Sequence, residues 1–266
     1  MHPSRRAGII EGDEPRFGHV FRKAPLKISI VIPAFNEEHL IGETLRQVQN
    51  AAAQFPRRGW ASELIVCDNN SSDRTAEIAR AAGARVVFEP VNQISRARNA
   101  GAAAASGDWL LFIDADSQPS VELFDEVADQ IQAGQCLAGG CTVKLEGHYP
   151  AANLGVGFWN LISRAGRWLA GSFIFCESAA FRQVGGFSKE LFVAEELELS
   201  QKLKRLAWEC GKQIVILHQH PLLTSARKMR LYTAREHVLF LARTIVRRGK
   251  TLNTREACHP WYDGRR

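Results

Sequence analysis

The stretch Trp109–Asp116 has the sequence WLLFIDAD, an apolar run that ends in two carboxylates one residue apart. The run is typical of a buried strand, and residues i and i+2 of an extended chain point the same way. Asp114 and Asp116 could therefore bind one divalent cation, or one cation and a sugar hydroxyl. The same spacing also recurs in surface turns, so the pair alone leaves both a turn and a metal site open.

Three more apolar segments precede this stretch, and a helical pattern follows each of them. The predicted strands are Ile28–Ile32, Glu63–Cys67 and Arg85–Phe88, and the predicted helices begin at Glu37, Thr75 and Ile94 and run to Ala53, Ala82 and Ala105. Such alternation predicts a Rossmann-like α/β fold, in which helices cover both faces of a mostly parallel sheet. Asn36 is predicted to cap the first helix. Ligands of these sheets bind beyond the carboxyl ends of the strands, where Pro33, Asp68 and Asp114 follow.

The carboxyl-terminal half is less regular. A helix is predicted over Val121–Ala133, and the segment Gly139–Arg182 is rich in glycine and aromatic residues, which suits either an acceptor-facing region or simple core packing. The helix that opens near Glu196 carries an apolar stripe at helical spacing, and a carboxylate at the start of such a stripe is unusual. The last predicted strand, Gln213–Leu217, leads to His220.

The composition limits the class of protein. With 266 residues, of which 45% are hydrophobic and 23% charged, the chain can form one large domain or a domain with an appendage. A formal charge of +6 favours anionic partners such as nucleotides or phospholipid head groups, although ordinary solubility explains it equally well. Nucleic-acid binding is not expected, because the basic residues are scattered and no base-stacking motif accompanies them.

The expected compartment follows from the apolar runs and the cysteines. Residues 1–25 lack a continuous apolar segment, and no apolar run approaches the roughly 20 residues that span a bilayer. The six cysteines form no CxxC pair and mostly lie in apolar segments, which fits reduced thiols and disfavours zinc. We therefore expect a cytoplasmic protein, either soluble or peripheral at the inner face of the membrane.

Five motifs, in order, resemble the family 2 glycosyltransferases, which have the GT-A fold. The motifs are Ile30–Glu38 (IVIPAFNEE), Val66–Asp73 (VCDNNSSD), Arg96–Gly101 (RARNAG), Asp114–Asp116 (DAD), and Gly185–Phe187 (GGF) leading into Glu195 and Glu196. The resemblance covers residues 26–229 and implies a nucleotide-binding half, 26–120, and an acceptor-binding half, 121–229. A polar arm, 1–25, and a basic amphipathic tail, 230–266, lie outside it.

The resemblance also implies roles for individual residues on the donor side. The residues implied to hold the nucleotide sugar are Pro33, Ala34, Phe35, Glu37, Asp68, Arg98, Asp114, Arg227 and Lys228. Asp68 would accept a hydrogen bond from the base, and Arg98 would lie near the diphosphate. Asp114 and Asp116 would contact the ribose and the Mg²⁺ or Mn²⁺ ion. His220 is either a third metal ligand or a hydrogen-bonded surface residue.

Glu196 matches the catalytic base of the family, although the usual Glu-Asp pair is Glu195-Glu196 here. A carboxylate in this position would take the proton from an acceptor hydroxyl during a single displacement with inversion. The helix N-terminus lowers the pKa of such a group, whereas burial and neighbouring carboxylates raise it, and the sequence leaves the balance open.

The predicted function is therefore an inverting, metal-dependent glycosyltransferase that uses a nucleotide-diphospho-sugar donor. The donor sugar, the base, the oligomeric state and the acceptor stay open, and the acceptor hydroxyl could belong to a lipid-linked or cell-envelope glycan precursor. The basic tail suits either a membrane surface or docking on the domain. One alternative is a non-catalytic sugar-nucleotide-binding or membrane-surface module. A sugar nucleotidyltransferase is a weaker alternative, because it expects a glycine-rich basic loop where Pro33–Asn36 stands.

Overall fold

The computed structural model describes residues 25–147 and 149–226. The strands are β1 (Lys27–Ala34), β2 (Ala61–Asp68), β3 (Arg85–Phe88), β4 (Trp109–Ile113), β5 (Ser117–Gln118), β6 (Cys136–Leu145), β7 (Phe173–Glu177) and β8 (Gln213–Thr224). The helices are α1 (Ile41–Ala52), α2 (Gln54–Arg57), α3 (Thr75–Ala81), α4 (Ile94–Ala104), α5 (Val121–Ala133), α6 (Pro150–Gly166), α7 (Ser178–Gln183) and α8 (Glu195–Glu209). Nearly all of the predicted arm and the whole of the predicted tail lie outside the described residues.

The strands form one eight-stranded sheet in the order β3-β2-β1-β4-β7-β6-β8-β5. The first four strands are parallel to one another, and β7 pairs antiparallel with both β4 and β6. β6 and β8 are parallel, and the short β5 pairs antiparallel with the end of β8. The predicted Rossmann-like α/β fold with a mostly parallel sheet is therefore confirmed, and the antiparallel pairings of β7 and β5 are additions to it.

The apolar run of β4 is explained by burial on both faces of the sheet. Leu111 belongs to one hydrophobic cluster, whereas its neighbours Leu110 and Phe112 belong to the cluster on the other side. All three are essentially inaccessible to water, and burying a large apolar side chain stabilises the fold by about 1.5–3 kcal/mol. β4 therefore carries no polar side chain, and the first one, Asp114, follows its last residue, Ile113.

The first helix begins later than predicted. α1 starts at Ile41, and the segment before it is a turn in which the Glu37 carbonyl accepts hydrogen bonds from the Leu40 and Ile41 amides. Asn36 has a positive φ of 51° and its side chain accepts from the Ser72 amide, so it does not cap the helix. The Asn36 side chain therefore binds the loop after β2 and not the first turn of α1.

The last strand is longer than predicted, because β8 continues past Leu217 to Thr224. Leu217 pairs with Cys141 and Leu222 pairs with Val143, so that β8 has additional residues between these two pairs. The resulting irregularity accommodates Pro221, which cannot donate to a regular ladder. His218 and His220 lie within this irregularity, between the paired residues Leu217 and Leu222.

Candidate active site

The loops after β1 and β2 are hydrogen-bonded to each other at the edge where a nucleotide is expected. The Asn36 amide donates to Ser71 Oγ (3.0 Å), and the Glu37 amide donates to Thr75 Oγ1 (2.7 Å). Asp68 is buried, and its Oδ1 accepts from the Ser71 amide (3.0 Å). The loops after β1 and β2, which are predicted to hold the base and the ribose, are therefore joined into one wall of the site.

The same wall includes the other residues that are predicted to hold the base and the ribose. Pro33 and Ala34 are buried at the end of β1, and Ala34 is paired in register with Asp68. Phe35 is half-buried at the start of the loop. The structure thus brings these predicted nucleotide-binding residues together with Asp68.

Arg98 is the centre of the buried part of the site. The side chain is 2% exposed; Nη2 donates to Asp114 Oδ1 (2.9 Å) and Nη1 donates to Glu195 Oε1 (2.6 Å). Nη2 also donates to the Gly171 carbonyl (2.8 Å), and the guanidinium lies 5.2 Å from the ring centre of Phe187. One guanidinium therefore joins the end of β4 to the start of α8.

The position of Arg98 is set by close packing of α4 on β1. A Cβ atom added at Gly101, on the same buried face of the helix, would lie 2.4 Å from Val31 Cγ1. Only glycine allows this approach without displacing β1. The Arg and Gly of the motif RARNAG are thus parts of one packing arrangement.

The same motif is hydrogen-bonded to the motif GGF. The Asn99 side-chain amide donates to the Phe187 carbonyl (2.8 Å), and its oxygen accepts from the Phe187 amide (3.0 Å). Phe187 is buried and packs edge to face against Phe112 of β4, with 5.2 Å between ring centres. These two hydrogen bonds hold the backbone of Phe187 in place, so that its ring faces the Arg98 guanidinium.

Glu195 and Glu196 open α8 after Ala194, whose φ is +67°. Burial raises the pKa of Glu195, against the opposing effect of Arg98. Burial and the adjacent Glu195 carboxylate raise the pKa of Glu196 to about 8. The effect of the helix N-terminus, which alone would lower the pKa, is therefore outweighed.

The Glu196 side chain is half-buried, and its helix is held in place by the chain that follows α6. Ser200 Oγ donates to the Glu196 carbonyl (2.7 Å) and accepts from the Leu169 amide (3.0 Å). A Cβ atom at Gly171 would lie 3.6 Å from the Glu196 carboxyl carbon and 3.3 Å from Arg98 Nη2. Gly171 therefore lies directly against the side chains of both Arg98 and Glu196.

Asp114 and Asp116 are half-buried and follow β4, as predicted. Carboxylate oxygens are the ligands that Mg²⁺ and Mn²⁺ prefer, and a bound diphosphate can supply further oxygens, so the residues present fit such an ion. The Asp116 carbonyl accepts from the Ser225 amide (3.1 Å). The chain that leads to Arg227 and Lys228 thus passes Asp116, but these two residues lie outside the described part.

His220 contacts another element. Its Nδ1 lies within hydrogen-bond distance of Glu126 Oε1 on α5, and its side chain is partly exposed. Within residues 25–147 and 149–226, no three His, Cys, Asp or Glu side chains converge as a metal-binding group. The assignment of His220 as a third ligand stays a prediction.

Two features of the site had little or no sequence signal. The Gly171 carbonyl binds Arg98, and no local pattern distinguishes this glycine from others in the segment Gly139–Arg182. The ring of Phe187 lies against Arg98, and its only signal is its place in the motif GGF. Both contacts depend on how distant elements pack.

The family model described as "Glycosyl transferase family 2" matches residues 29–175, more than half of the chain. The chain belongs to this family. It is 29% identical over 171 residues to the dolichyl-phosphate beta-glucosyltransferase ALG5C of Trichomonas vaginalis; the alignment covers 56% of this chain and 50% of that protein. The chain spans about a quarter to half of the length of the first curated relatives it matches.

Solved structures show the same fold at lower identity. The mannosyltransferase PcManGT from Pyrobaculum calidifontis, in complex with GDP-Man and Mn²⁺, has a TM-score of 0.62 and 16% identity, covering 90% of this chain and 68% of that one. S. aureus TarS 1-349, in complex with UDP-GlcNAc, has a TM-score of 0.59 and 21% identity, covering 88% and 69%. Among the described residues of this family member, no helix is long and apolar enough to cross a membrane.

Proposed function

We propose that this family 2 protein is an inverting, metal-dependent glycosyltransferase that moves a sugar from a nucleotide diphosphate to a hydroxyl of a lipid-linked acceptor. The observation that carries the proposal is the raised pKa of Glu196, on a helix that Glu195 and Arg98 connect to Asp114. A base next to a donor-binding carboxylate is the arrangement that direct displacement at a sugar carbon needs.

The nucleotide half, residues 26–120, supplies the donor side. The base and ribose would lie against the wall formed by Pro33, Ala34, Phe35, Glu37 and Asp68, because these residues meet at the carboxyl ends of β1 and β2. A buried carboxylate such as Asp68 can accept a hydrogen bond from a base amide. The similar structures that hold GDP-Man and UDP-GlcNAc leave the identity of the base open.

Asp114 and Asp116 would hold the cation. A bound Mg²⁺ or Mn²⁺ stabilises the negative charge that builds on the leaving diphosphate. Arg98 fixes the direction of the Asp114 side chain, since it donates to Oδ1 from within the protein. Arg227 and Lys228, which follow the segment beside Asp116, would add positive charge next to the same diphosphate.

Glu196 would take the proton from the acceptor hydroxyl. A carboxyl group whose pKa is about 8 is a stronger base, once ionised, than an ordinary glutamate. Burial is the main cause of this pKa, and the neighbouring Glu195 adds to it. The acceptor half, residues 121–229, contributes this group.

The lipid-linked part of the proposal is supported by the relative that is named as a dolichyl-phosphate glucosyltransferase, whereas the hydroxyl part rests on Glu196. We infer a cytoplasmic reaction, peripheral at the inner face of a membrane. The free, buried thiols of Cys67, Cys136, Cys141 and Cys176 are consistent with a reducing compartment.

The test is sugar transfer from a panel of UDP- and GDP-sugars to a polyprenol-linked acceptor, with and without Mn²⁺. We expect Mn²⁺-dependent transfer with inversion, and a loss of roughly 10²- to 10⁴-fold in Glu196→Gln. Glu198→Gln is the matched control, because Glu198 lies on the same helix and pairs with Lys202 (2.7 Å). Unchanged turnover in Glu196→Gln, together with retained donor binding, would favour a non-catalytic sugar-nucleotide-binding module.

A further inference from the structure

Helix α6 carries apolar side chains on a face that no other described residue covers. Leu154 is 77% exposed and Phe158 is 65% exposed, and Leu161 and Ile162 are exposed as well. These positions fall at i, i+4, i+7 and i+8, so they lie along one side of the helix. Contiguous exposed apolar surface of this kind marks an interaction site.

The opposite side of α6 is firmly attached to the sheet. The Asn160 side chain donates to the Val143 carbonyl (2.9 Å) and accepts from the Val143 amide (3.0 Å). The side chain of Ser163 is buried on the same helix and donates to the Trp168 carbonyl (2.6 Å). The exposed apolar face therefore belongs to a helix with a fixed orientation.

A cavity of about 630 Å³ adjoins this face, between α6, β6 and β8. Its lining includes three basic side chains, Lys144, Arg164 and His218, each of which is exposed. Leu161 lines the cavity and also belongs to the apolar face, so the two surfaces are continuous. No acidic residue is present among the described residues that line the cavity.

The charged side chains in this part of the chain are mostly basic. Residues 142–172 contain a single acid, Glu146, against Lys144, Arg164 and Arg167. A fixed apolar stripe bordered by basic side chains is complementary to a bilayer surface, where acyl chains lie beneath anionic head groups. The basic tail predicted over residues 230–248 has a similar charge, so it is a poor electrostatic partner for this face.

We propose that α6 and the adjoining basic cavity form a docking surface for an anionic phospholipid bilayer. Leu154, Phe158 and Leu161 enter the boundary between head groups and acyl chains, and Lys144 and Arg164 bind the lipid phosphates. The proposed docking surface specifies where a lipid-linked acceptor would reach the protein, and it rests on the lipid-linked-acceptor part of the proposed function.

The docking surface is connected to the candidate base. Lys204 Nζ, on α8, donates to the Gly166 carbonyl at the end of α6 (2.5 Å) and lies 3.6 Å from the ring centre of Trp168. Three residues after Gly166, the Leu169 amide binds Ser200 Oγ, which in turn donates to the Glu196 carbonyl. A bilayer held against α6 would thus lie beside the helix that carries Glu196, where a lipid-linked acceptor must arrive.

The test is flotation of the full chain with vesicles of phosphatidylcholine and phosphatidylglycerol, and with vesicles of phosphatidylcholine alone, in the absence of any sugar nucleotide. We expect binding to the anionic vesicles and a loss of about tenfold or more in the double variant Leu154→Ser/Phe158→Ser. The double variant Lys144→Glu/Arg164→Glu should lose binding to the anionic vesicles in the same way. All four side chains are exposed, so the variants should fold, and circular dichroism checks this.

The matched control removes an apolar side chain of similar exposure elsewhere on the protein. Phe88→Ser on β3 (59% exposed) should leave vesicle binding unchanged. β3 lies at the edge of the sheet opposite to the β6–β8–β5 side, so Phe88 tests the general effect of surface hydrophobicity.

Three results would overturn the proposal. The first is that the full chain does not bind anionic vesicles. The second is that both double variants bind these vesicles as well as the parent protein. The third is that Leu154→Ser/Phe158→Ser loses a dimer in sedimentation velocity but still binds the vesicles. Failure of the transfer assay with intact vesicle binding would instead count against the proposed enzymatic function, because the flotation assay contains no donor.

Discussion

Arg98 donates from Nη2 to Asp114 Oδ1 at 2.9 Å, across 16 positions of the sequence. The other terminal nitrogen of the same side chain binds Glu195, 97 positions away. Because Asp114 belongs to the donor side and Glu195 precedes the candidate base, the orientation of the two sides depends on a single buried guanidinium. Its Nε has no hydrogen-bond partner among the described residues, so the ion pairs and the Phe187 ring must offset its burial.

We expect Arg98→Lys to lose both stability and activity. A lysine keeps the charge but has one nitrogen, which cannot reach Asp114, Glu195 and the Gly171 carbonyl in the geometry of the planar guanidinium. The free energy of unfolding should fall by about 3 kcal/mol, because a buried carboxylate loses its partner. Urea denaturation measures this loss.

The control for Arg98→Lys is Arg96→Lys on the same helix, where Nε of the guanidinium donates to the Gln93 side chain (3.0 Å). This variant should stay within about 0.5 kcal/mol of the parent protein. Equal stability of Arg98→Lys and Arg96→Lys would contradict the central role of Arg98.

Asp116→Asn should weaken the response to Mn²⁺. An amide provides a neutral oxygen in place of a carboxylate, so the Mn²⁺ concentration for half-maximal transfer should rise roughly tenfold or more. Asp129→Asn on α5 is the control, since Asp129 is exposed and pairs with Arg58 (2.6 Å). An unchanged Mn²⁺ titration in Asp116→Asn would remove Asp116 from the metal site.

The parallel half of the fold could be predicted because its signals are local. Leu110, Leu111 and Phe112 alternate between two cores, so the strand is apolar at every position, and this pattern is visible in the sequence. The carboxylates that follow are then placed at the ligand edge by the general geometry of such sheets. Asp68 and Asp114 are found at that edge by this reasoning alone.

The contacts that complete the site could not be predicted in this way. The start of α1 depends on a hydrogen bond between Asn36 and Ser72, and the pKa of Glu196 depends on how deeply α8 is buried. The insertion of the antiparallel β7 between β4 and β6 brings Gly171 to Arg98. Each of these features is set by packing between distant segments, which no local pattern encodes.

Gly171→Ala should reduce activity without unfolding the protein. The added methyl group would lie 3.3 Å from Arg98 Nη2, so the guanidinium must move by a few tenths of an ångström, and it would be in van der Waals contact with the Glu196 carboxyl carbon at 3.6 Å. We expect a loss of roughly tenfold in kcat and of about 1 kcal/mol in the free energy of unfolding. Gly155→Ala on α6, where an added Cβ meets nothing within 4 Å, should have neither effect.

The raised pKa of Glu196 also predicts how stability depends on pH. The folded protein holds the proton up to about pH 8, whereas the unfolded chain releases it near 4.5, so this group stabilises the fold fully below pH 4.5. The contribution is lost as the pH rises from about 4.5 to about 8. Glu196→Gln should therefore be more stable than the parent protein at pH 9, by about 2–5 kcal/mol, and equally stable at pH 4.

In the control variant, the expected change in stability has the opposite sign. The pKa of Glu198 is lowered by its hydrogen bond to Lys202, so its ionised form stabilises the fold above its unfolded pKa. Glu198→Gln should consequently be slightly less stable than the parent at neutral pH. Thermal or urea unfolding of both variants across pH 4–9, in the absence of ligands, distinguishes the two cases.

The pH dependence of transfer tests the role of Glu196 most directly. A base acts only when it is ionised, so kcat/KM should rise about tenfold per pH unit below pH 8 and level off above it. In Glu196→Gln the remaining activity should lose this dependence, whereas Glu198→Gln should keep it. If the parent enzyme showed a flat profile between pH 6 and 9, the acceptor would already be ionised when it binds, as a phosphate is, and Glu196 would not be the base.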